Sequence, residues 1–320
     1  MSIRIATCAW GDSFATCCAE AARAGYAGIE IDINGYVGRE RELRALLDRH
    51  GLEAAAGSAG GGFLDLATRD HEIAQVEETA RRLSEFGVHT LELHCGTRPV
   101  GGPSEEQLCR YAEALNEAGR RCRRHGVRVG LHNHCILFVE TGREIELLYE
   151  QLAPELVGAG FDTGHLALAG CDVAAMARRY AGRFVYGHLK DLYQVGKPAG
   201  ESERVLSFDE TLALAQAADI CTWLAIEDVD GRRLVLGGGK LGHDLFAGHR
   251  GLIRGVRCCD ITEYQFAELG QGTADLPGAL AALQGTGYEG WLAVELDVCY
   301  RTRFESARMS REYLKNQLKI

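Results

Sequence analysis

The sequence predicts an α/β protein of the (β/α)8, or TIM, barrel class. Three observations carry the prediction. Eight short apolar runs alternate with helical stretches along 320 residues, about the length of an eight-unit barrel with something added. The runs are apolar throughout rather than alternating, which suits a parallel sheet covered on both faces. Four of them are introduced alike, by a glycine and an aromatic residue or valine: Gly25-Tyr26, Gly87-Val88, Gly126-Val127 and Gly287-Tyr288. Glycine fits the left-handed position that ends a helix before a strand. No Gly-rich dinucleotide loop follows the first run, which counts against a doubly wound open sheet, the next-best architecture.

In order, the strands are expected over residues 4–8, 28–32, 53–58, 90–94, 128–133, 157–161, 184–189 and 291–296. Helix starts are marked by three capping boxes: Ser104 with Gln107, Thr141 with Glu144, and Ser207 with Glu210. Asp172 is placed to cap a helix running to about Tyr180. Its buried face would be Val173, Met176, Ala177 and Tyr180. The chain reads as one barrel domain over residues 1–320, with an insertion of about 45 residues, 221–268, between strands seven and eight. Inside it, residues 223–229 and 232–236 flank Asp230-Gly231, a hairpin turn pair, and Gly237-Gly238-Gly239 marks a flexible joint. The insertion suits a lid, a substrate wall or a subunit contact. Trp223, Phe246 and Tyr264 suit either that wall or core packing, and His243 and His249 read as surface residues.

Apolar residues at 46% and charged residues at 25% are ordinary for a soluble enzyme. A net charge of −10 argues against nucleic acid and an anionic membrane surface as partners. The 12 cysteines form no C-x-x-C pair and fit neither a zinc site nor a disulfide framework. With no leader pattern and no long apolar span, the expected location is the reducing cytoplasm.

The strand ends are rich in ionisable groups. The second strand offers Glu30 and Asp32, the fourth His94, and the fifth His132-Asn133-His134 with a loop reaching Glu140. The sixth offers Asp162 and His165, the seventh His188 and Lys190, and the eighth Glu295 and Asp297. In a parallel barrel these C-terminal ends share one face. Carboxylates and imidazoles gathered without thiolates suit Mn²⁺, Co²⁺ or Mg²⁺, with Zn²⁺ as a further option. Each residue also has a plainer reading: Asp162 as a helix cap, Glu140 as a helix-start carboxylate beside Thr141, the histidines as satisfied polar groups.

FDTGH at 161–165, GHLKD at 187–191, GQGTADLPGAL at 270–280 and GYEGWLAVE at 287–295 resemble the xylose isomerase-like barrels of the sugar phosphate isomerase/epimerase group. The resemblance implies a divalent metal held by Glu, Asp, His and Glu, of which Asp162, His188 and Glu295 are three. Where many members carry the first Glu, this chain has His132. The run from His132 to Val139-Glu140-Thr141 is similar to the inosose dehydratase branch, which implies Glu140 as the fourth ligand, with His132 as the alternative. Mn²⁺ is the first choice of metal.

The implied chemistry is removal of a proton beside the carbonyl of a sugar or cyclitol, with His134, His165, Lys190 or Glu295 as the base. Its outcome is isomerisation, epimerisation or loss of a β-hydroxyl. An alternative is the larger subunit of a C-glycoside deglycosidase, which would give the insertion a purpose. An endonuclease acting on abasic DNA, or a metal-free binding protein, stands further off. The expected partners are a small sugar, keto-sugar or cyclitol, and a second copy of the chain or a small partner subunit.

Overall fold

The computed structural model describes residues 3–10, 13–99, 102–135, 137–194, 205–217, 222–228, 233–237, 243–244, 246–248, 250–251, 255–297 and 301–320. The first half runs β1 (Arg4–Thr7), α1 (Phe14–Ala24), β2 (Gly28–Ile31), α2 (Glu40–His50), β3 (Glu53–Gly61), α3 (Arg69–Phe86), β4 (Thr90–Cys95), α4 (Glu105–Arg124) and β5 (Arg128–His132). Then come α5 (Gly142–Tyr149), β6 (Val157–Ala159), α6 (Thr163–Leu168), α7 (Val173–Tyr180) and β7 (His188–Leu189). A second group follows: β8 (Asp191–Gln194), β9 (Val205–Leu206), α8 (Phe208–Ala217), β10 (Thr222–Asp228), β11 (Arg233–Gly237) and β12 (Val256–Ala267). The chain closes with α9 (Leu276–Gly285), β13 (Trp291–Val294) and α10 (Arg303–Asn316).

Eight strands form one sheet in the order β6-β5-β4-β3-β2-β1-β13-β7, paired in parallel throughout. Its two ends meet through the parallel bridges Ala159–Phe184 and Asp162–His188, so the sheet curls into a ring. The Val185 and His188 amides donate to Ala159 and Phe161 carbonyls at 2.9 and 3.0 Å across this seam. The eight expected strands are these eight, and the open sheet is excluded. The helix-ending glycines 25, 87, 126 and 287 all have φ between +71° and +92°, where a side chain would be strained. Asp172 caps α7 through Ala175 N–H at 2.8 Å, and Val173, Met176, Ala177 and Tyr180 are buried as the spacing requires.

The extra segment builds its own antiparallel sheet, β11-β10-β12-β8, with β9 also on β12. It starts earlier than the sequence suggests. Its first strand, β8, leaves directly from β7 at Asp191, rather than near residue 221. β10 and β11 pair as the expected hairpin, while its turn at Asp230-Gly231 and the joint at Gly238-Gly239 lie outside the described residues. Asp191 ties this sheet to the barrel. Its carboxylate accepts N–H bonds from Leu192, Gly270, Gly272 and Ala274 at 2.9 to 3.1 Å. A Cβ at Gly272 would stand 2.2 Å from Asp191 Oδ1, so the backbone reaches the carboxylate only as glycine. That contact links the GHLKD and GQGTAD motifs physically.

Candidate metal centre and acid–base cluster

The ring brings the ionisable strand ends to one mouth. His188 is the hub. Its Nδ1 is 2.9 Å from Glu295 Oε2 and 3.9 Å from Asp162 Oδ2. Its Nε2 stands 3.1 Å from Glu92 Oε2, 3.2 Å from Glu30 Oε2 and 3.4 Å from Cys8 Sγ. Asp162 does two things at once. Oδ1 caps α6 by accepting from His165 N–H at 2.8 Å, which leaves Oδ2 turned toward His188 and Lys190. The cap and the site role are thus two oxygens of one carboxylate.

Lys190 lies at the centre with 1% of its side chain exposed. Its Nζ is 2.8 Å from Glu295 Oε2, 2.8 Å from Asp297 Oδ2 and 3.3 Å from Asp162 Oδ2. It also donates to His165 Nε2 at 3.0 Å. Its stem runs over Gly164, where a Cβ would meet three Lys190 carbons at 2.7 to 2.9 Å. This is why FDTGH and GHLKD occur together: the glycine of one is the floor for the lysine of the other.

The electrostatics divide the cluster. Burial opposes the charge on Lys190, but Asp162, Asp297 and Glu295 outweigh it and hold the amine protonated well above its usual range. Burial likewise opposes charge on Glu295, and Lys190 and His188 hold it ionised. For Asp162 burial wins and raises the pKa against the pull of Lys190. Burial lowers His132 to about 4 and, with help from Lys190, His134 to about 3, so both are neutral. His165 is pushed down by burial in the same way. His134 is half-buried and stacks on the fully buried His165 with ring centroids 3.6 Å apart.

Not every expected residue joins. Asp162, His188 and Glu295 present one ligand atom each within 4.8 Å of one another, and His132 does so with Asp162 and His165. Glu140 belongs to no such group among the described residues. Its Oε2 is 3.1 Å from Arg98 Nε, and its N–H donates to Glu144, whose carboxylate takes two further Arg98 nitrogens at 2.9 and 2.7 Å. A buried guanidinium claims both glutamates. Asp32 also stays outside, accepting from Asn34 and Gly35 N–H in its own turn. Three participants escaped the sequence reading: Glu92, Cys8 and Cys135. Glu92 alternates with Leu91 and Leu93 in β4 and shares a face with His94, a signal that was available. Cys135 Sγ is 3.0 Å from His165 Nδ1, and burial raises both thiols well above their usual range, so neither is a thiolate.

Two atoms ask for a cation. His132 Nε2 is buried and makes no hydrogen bond, and Asp162 Oδ2 is buried with only its 3.3 Å ion pair to Lys190, while the other polar atom of each group is hydrogen-bonded. Buried polar atoms without partners are costly. Carboxylate and neutral imidazole donors fit Mn²⁺, Co²⁺ or Zn²⁺. The residues that could hold such an ion are Asp162, His188, Glu295 and His132.

Comparison with known proteins agrees with this architecture. A family model described as xylose isomerase-like TIM barrel matches residues 18–242. Rhizopine catabolism protein MocC of Rhizobium meliloti is 26% identical over 88% of this chain and 74% of its own. Inosose dehydratase of Clostridium beijerinckii is 26% identical over 96% and 90%. The crystal structure of the IolI protein with a bound zinc atom superposes with a TM-score of 0.62, at 15% identity, over 98% of this chain and 97% of that one.

Proposed function

The chain belongs to the xylose isomerase-like TIM barrel family, and from that premise we propose a divalent-metal-dependent enzyme that removes a proton beside the carbonyl of a cyclitol or sugar, with loss of water from a keto-inositol as the favoured reaction. The observation that carries the reading is the convergence of Asp162, His188 and Glu295 beside a buried, protonated lysine. The inosose dehydratase relatives support the substrate class.

Asp162, His188, Glu295 and His132 would hold the cation, Mn²⁺ first. His132 takes the place that Glu140 would have filled, because Arg98 occupies Glu140. A divalent cation there would supply positive charge to the substrate's carbonyl oxygen and so make the adjacent C–H more acidic. His134 is the base on its position, half-buried at the mouth and packed on His165 beside the cluster. His165 is its support rather than a second base, since it is closed off beneath the stacked ring. Lys190 is a donor, because three carboxylates keep its proton on. It presents that proton to the departing β-hydroxyl, and Asp297 steadies it through the 2.8 Å contact. Glu295 serves as ligand and not as base, being shared between His188 and Lys190.

The test is incubation with a keto-inositol, keto-sugars and oxidised C-glycosides in D₂O with Mn²⁺, followed by NMR. Loss of water from the keto-inositol, with solvent deuterium entering only slowly, is the expected outcome. Deuterium exchange without elimination would move the assignment to an isomerase or epimerase, and release of an aglycone to a deglycosidase. No exchange in any substrate would refute proton abstraction altogether.

A further inference from the structure

Glu92 lies in β4, is fully buried, and faces three imidazoles that come from three different strand ends. His132 Nδ1 donates to its Oε1 at 2.9 Å. Its Oε2 is 3.1 Å from His188 Nε2 and 3.2 Å from His94 Nε2. We propose that Glu92 is the positioning residue of the cation site, a single carboxylate that turns Nε2 of His132 and Nδ1 of His188 toward the same cavity. The inference rests on the cation reading above.

The argument is one of donors and acceptors. A carboxylate can only accept, so the nitrogen that meets Oε1 must carry the proton. In a neutral His132 that leaves Nε2 as a bare lone pair, and Nε2 is the atom that is buried without a hydrogen bond. His188 is held in the opposite sense. Its Nε2 faces Glu92 and hydrogen-bonds Glu30 at 3.2 Å, while Nδ1 faces Asp162 and hydrogen-bonds Glu295 at 2.9 Å, so Nδ1 is the nitrogen whose proton a cation would displace. The two rings sit on strands that are not neighbours, since β6 lies between β5 and β7 in the ring. Their backbones alone therefore do not set their mutual angle. Glu92 spans the gap and fixes the rings 5.0 Å apart and tilted by 62°. Ligating imidazoles oriented by a carboxylate on the far nitrogen are a recurrent device for tuning affinity.

Two measurements on the full-length chain test this. In metal-free protein labelled with ¹⁵N-histidine, long-range ¹H–¹⁵N spectra report the tautomer of His132. A proton on Nδ1 is expected, with a shift toward Nε2 in Glu92→Gln, whose single acceptor oxygen cannot serve both rings. Zn²⁺ binding by competition dialysis should then weaken about 10- to 100-fold in Glu92→Gln. Glu92→Asp, which keeps both oxygens, should recover part of the loss. A wild-type His132 protonated on Nε2 overturns the proposal, and so does a Glu92→Gln chain that binds Zn²⁺ as tightly as wild type. A wild-type chain that binds no more Zn²⁺ than Asp162→Asn sinks the underlying cation reading as well, so the two failures are told apart.

Discussion

Lys190→Met removes the ammonium that meets Asp162, Glu295 and Asp297 at 2.8 to 3.3 Å, leaving His188, 2.9 Å from Glu295, as the neighbouring positive charge. Methionine matches the stem that packs over Gly164 but leaves the buried Asp162 and the half-buried Glu295 and Asp297 facing one another. Breaking a buried ion pair from one side costs about 3–5 kcal/mol. The metal-free variant should therefore unfold in urea with a stability lower by about that amount. The same oxygens, Asp162 Oδ2 and Glu295 Oε2, are the ones offered to a cation, so lysine and cation compete for them. Mn²⁺ should then stabilise Lys190→Met by about 4 kcal/mol at a thousand times its Kd, and at that same Mn²⁺ concentration stabilise wild type less, because lysine weakens its binding. Catalysis should nevertheless be lost, because the proton donor is gone. The assay is urea unfolding with chelator and with excess Mn²⁺, read by circular dichroism. A variant as stable as wild type in chelator, or one that gains nothing from Mn²⁺, would refute the reasoning.

Three further outcomes follow from the same contacts. His132→Ala should lower cation affinity by about 10-fold or more, while Glu140→Gln should leave it near wild type and cost stability through the lost Arg98 pair; calorimetric titration with Mn²⁺ separates them. Asp191→Ala should cost about 2–4 kcal/mol in chemical denaturation, since four backbone N–H groups lose a charged acceptor that water only partly replaces. Metal-free stability should fall more steeply below about pH 6.5 in wild type than in His134→Asn, because His134 titrates near 3 when folded and higher when unfolded, while the opposing carboxylates Asp162, Glu30 and Asp297, raised by burial, are common to both chains. The unfolded chain binds the extra proton in that window, so His134 contributes a slope of about 1.4 kcal/mol per pH unit. His188, raised in the folded state, is protonated in both states below 6.5 and adds nothing there. Equal slopes for wild type and His134→Asn from pH 6.5 to 5 would contradict the burial of a neutral imidazole there.

The barrel was legible because each local device agrees with the next. Gly25, Gly87, Gly126 and Gly287 end helices with positive φ, the capping boxes at Ser104, Thr141 and Ser207 close as their spacing requires, and the strands that follow are buried on both faces. The convergence of Asp162, His188, Lys190 and Glu295 was legible because each stands at the end of a strand. The site was illegible where a residue depends on a partner far away in sequence. Nothing local to Glu140 says that Arg98, 42 positions earlier, will claim it. Nothing local to Asp191 says that Gly270, Gly272 and Ala274 will return to its carboxylate after the inserted sheet. That return also explains why the insertion begins earlier than residue 221: β8 shows itself as part of the inserted sheet only through its pairing with β12.

The most direct test of the account is the Mn²⁺ stoichiometry of the purified chain, read by electron paramagnetic resonance as free ion is titrated in. Asp162→Asn, which keeps the oxygen that caps α6, serves as the control. One Mn²⁺ bound per wild-type chain, and a binding loss of about 100-fold or more in the control, is the predicted result. Equal binding by the two chains, or none by either, would contradict it.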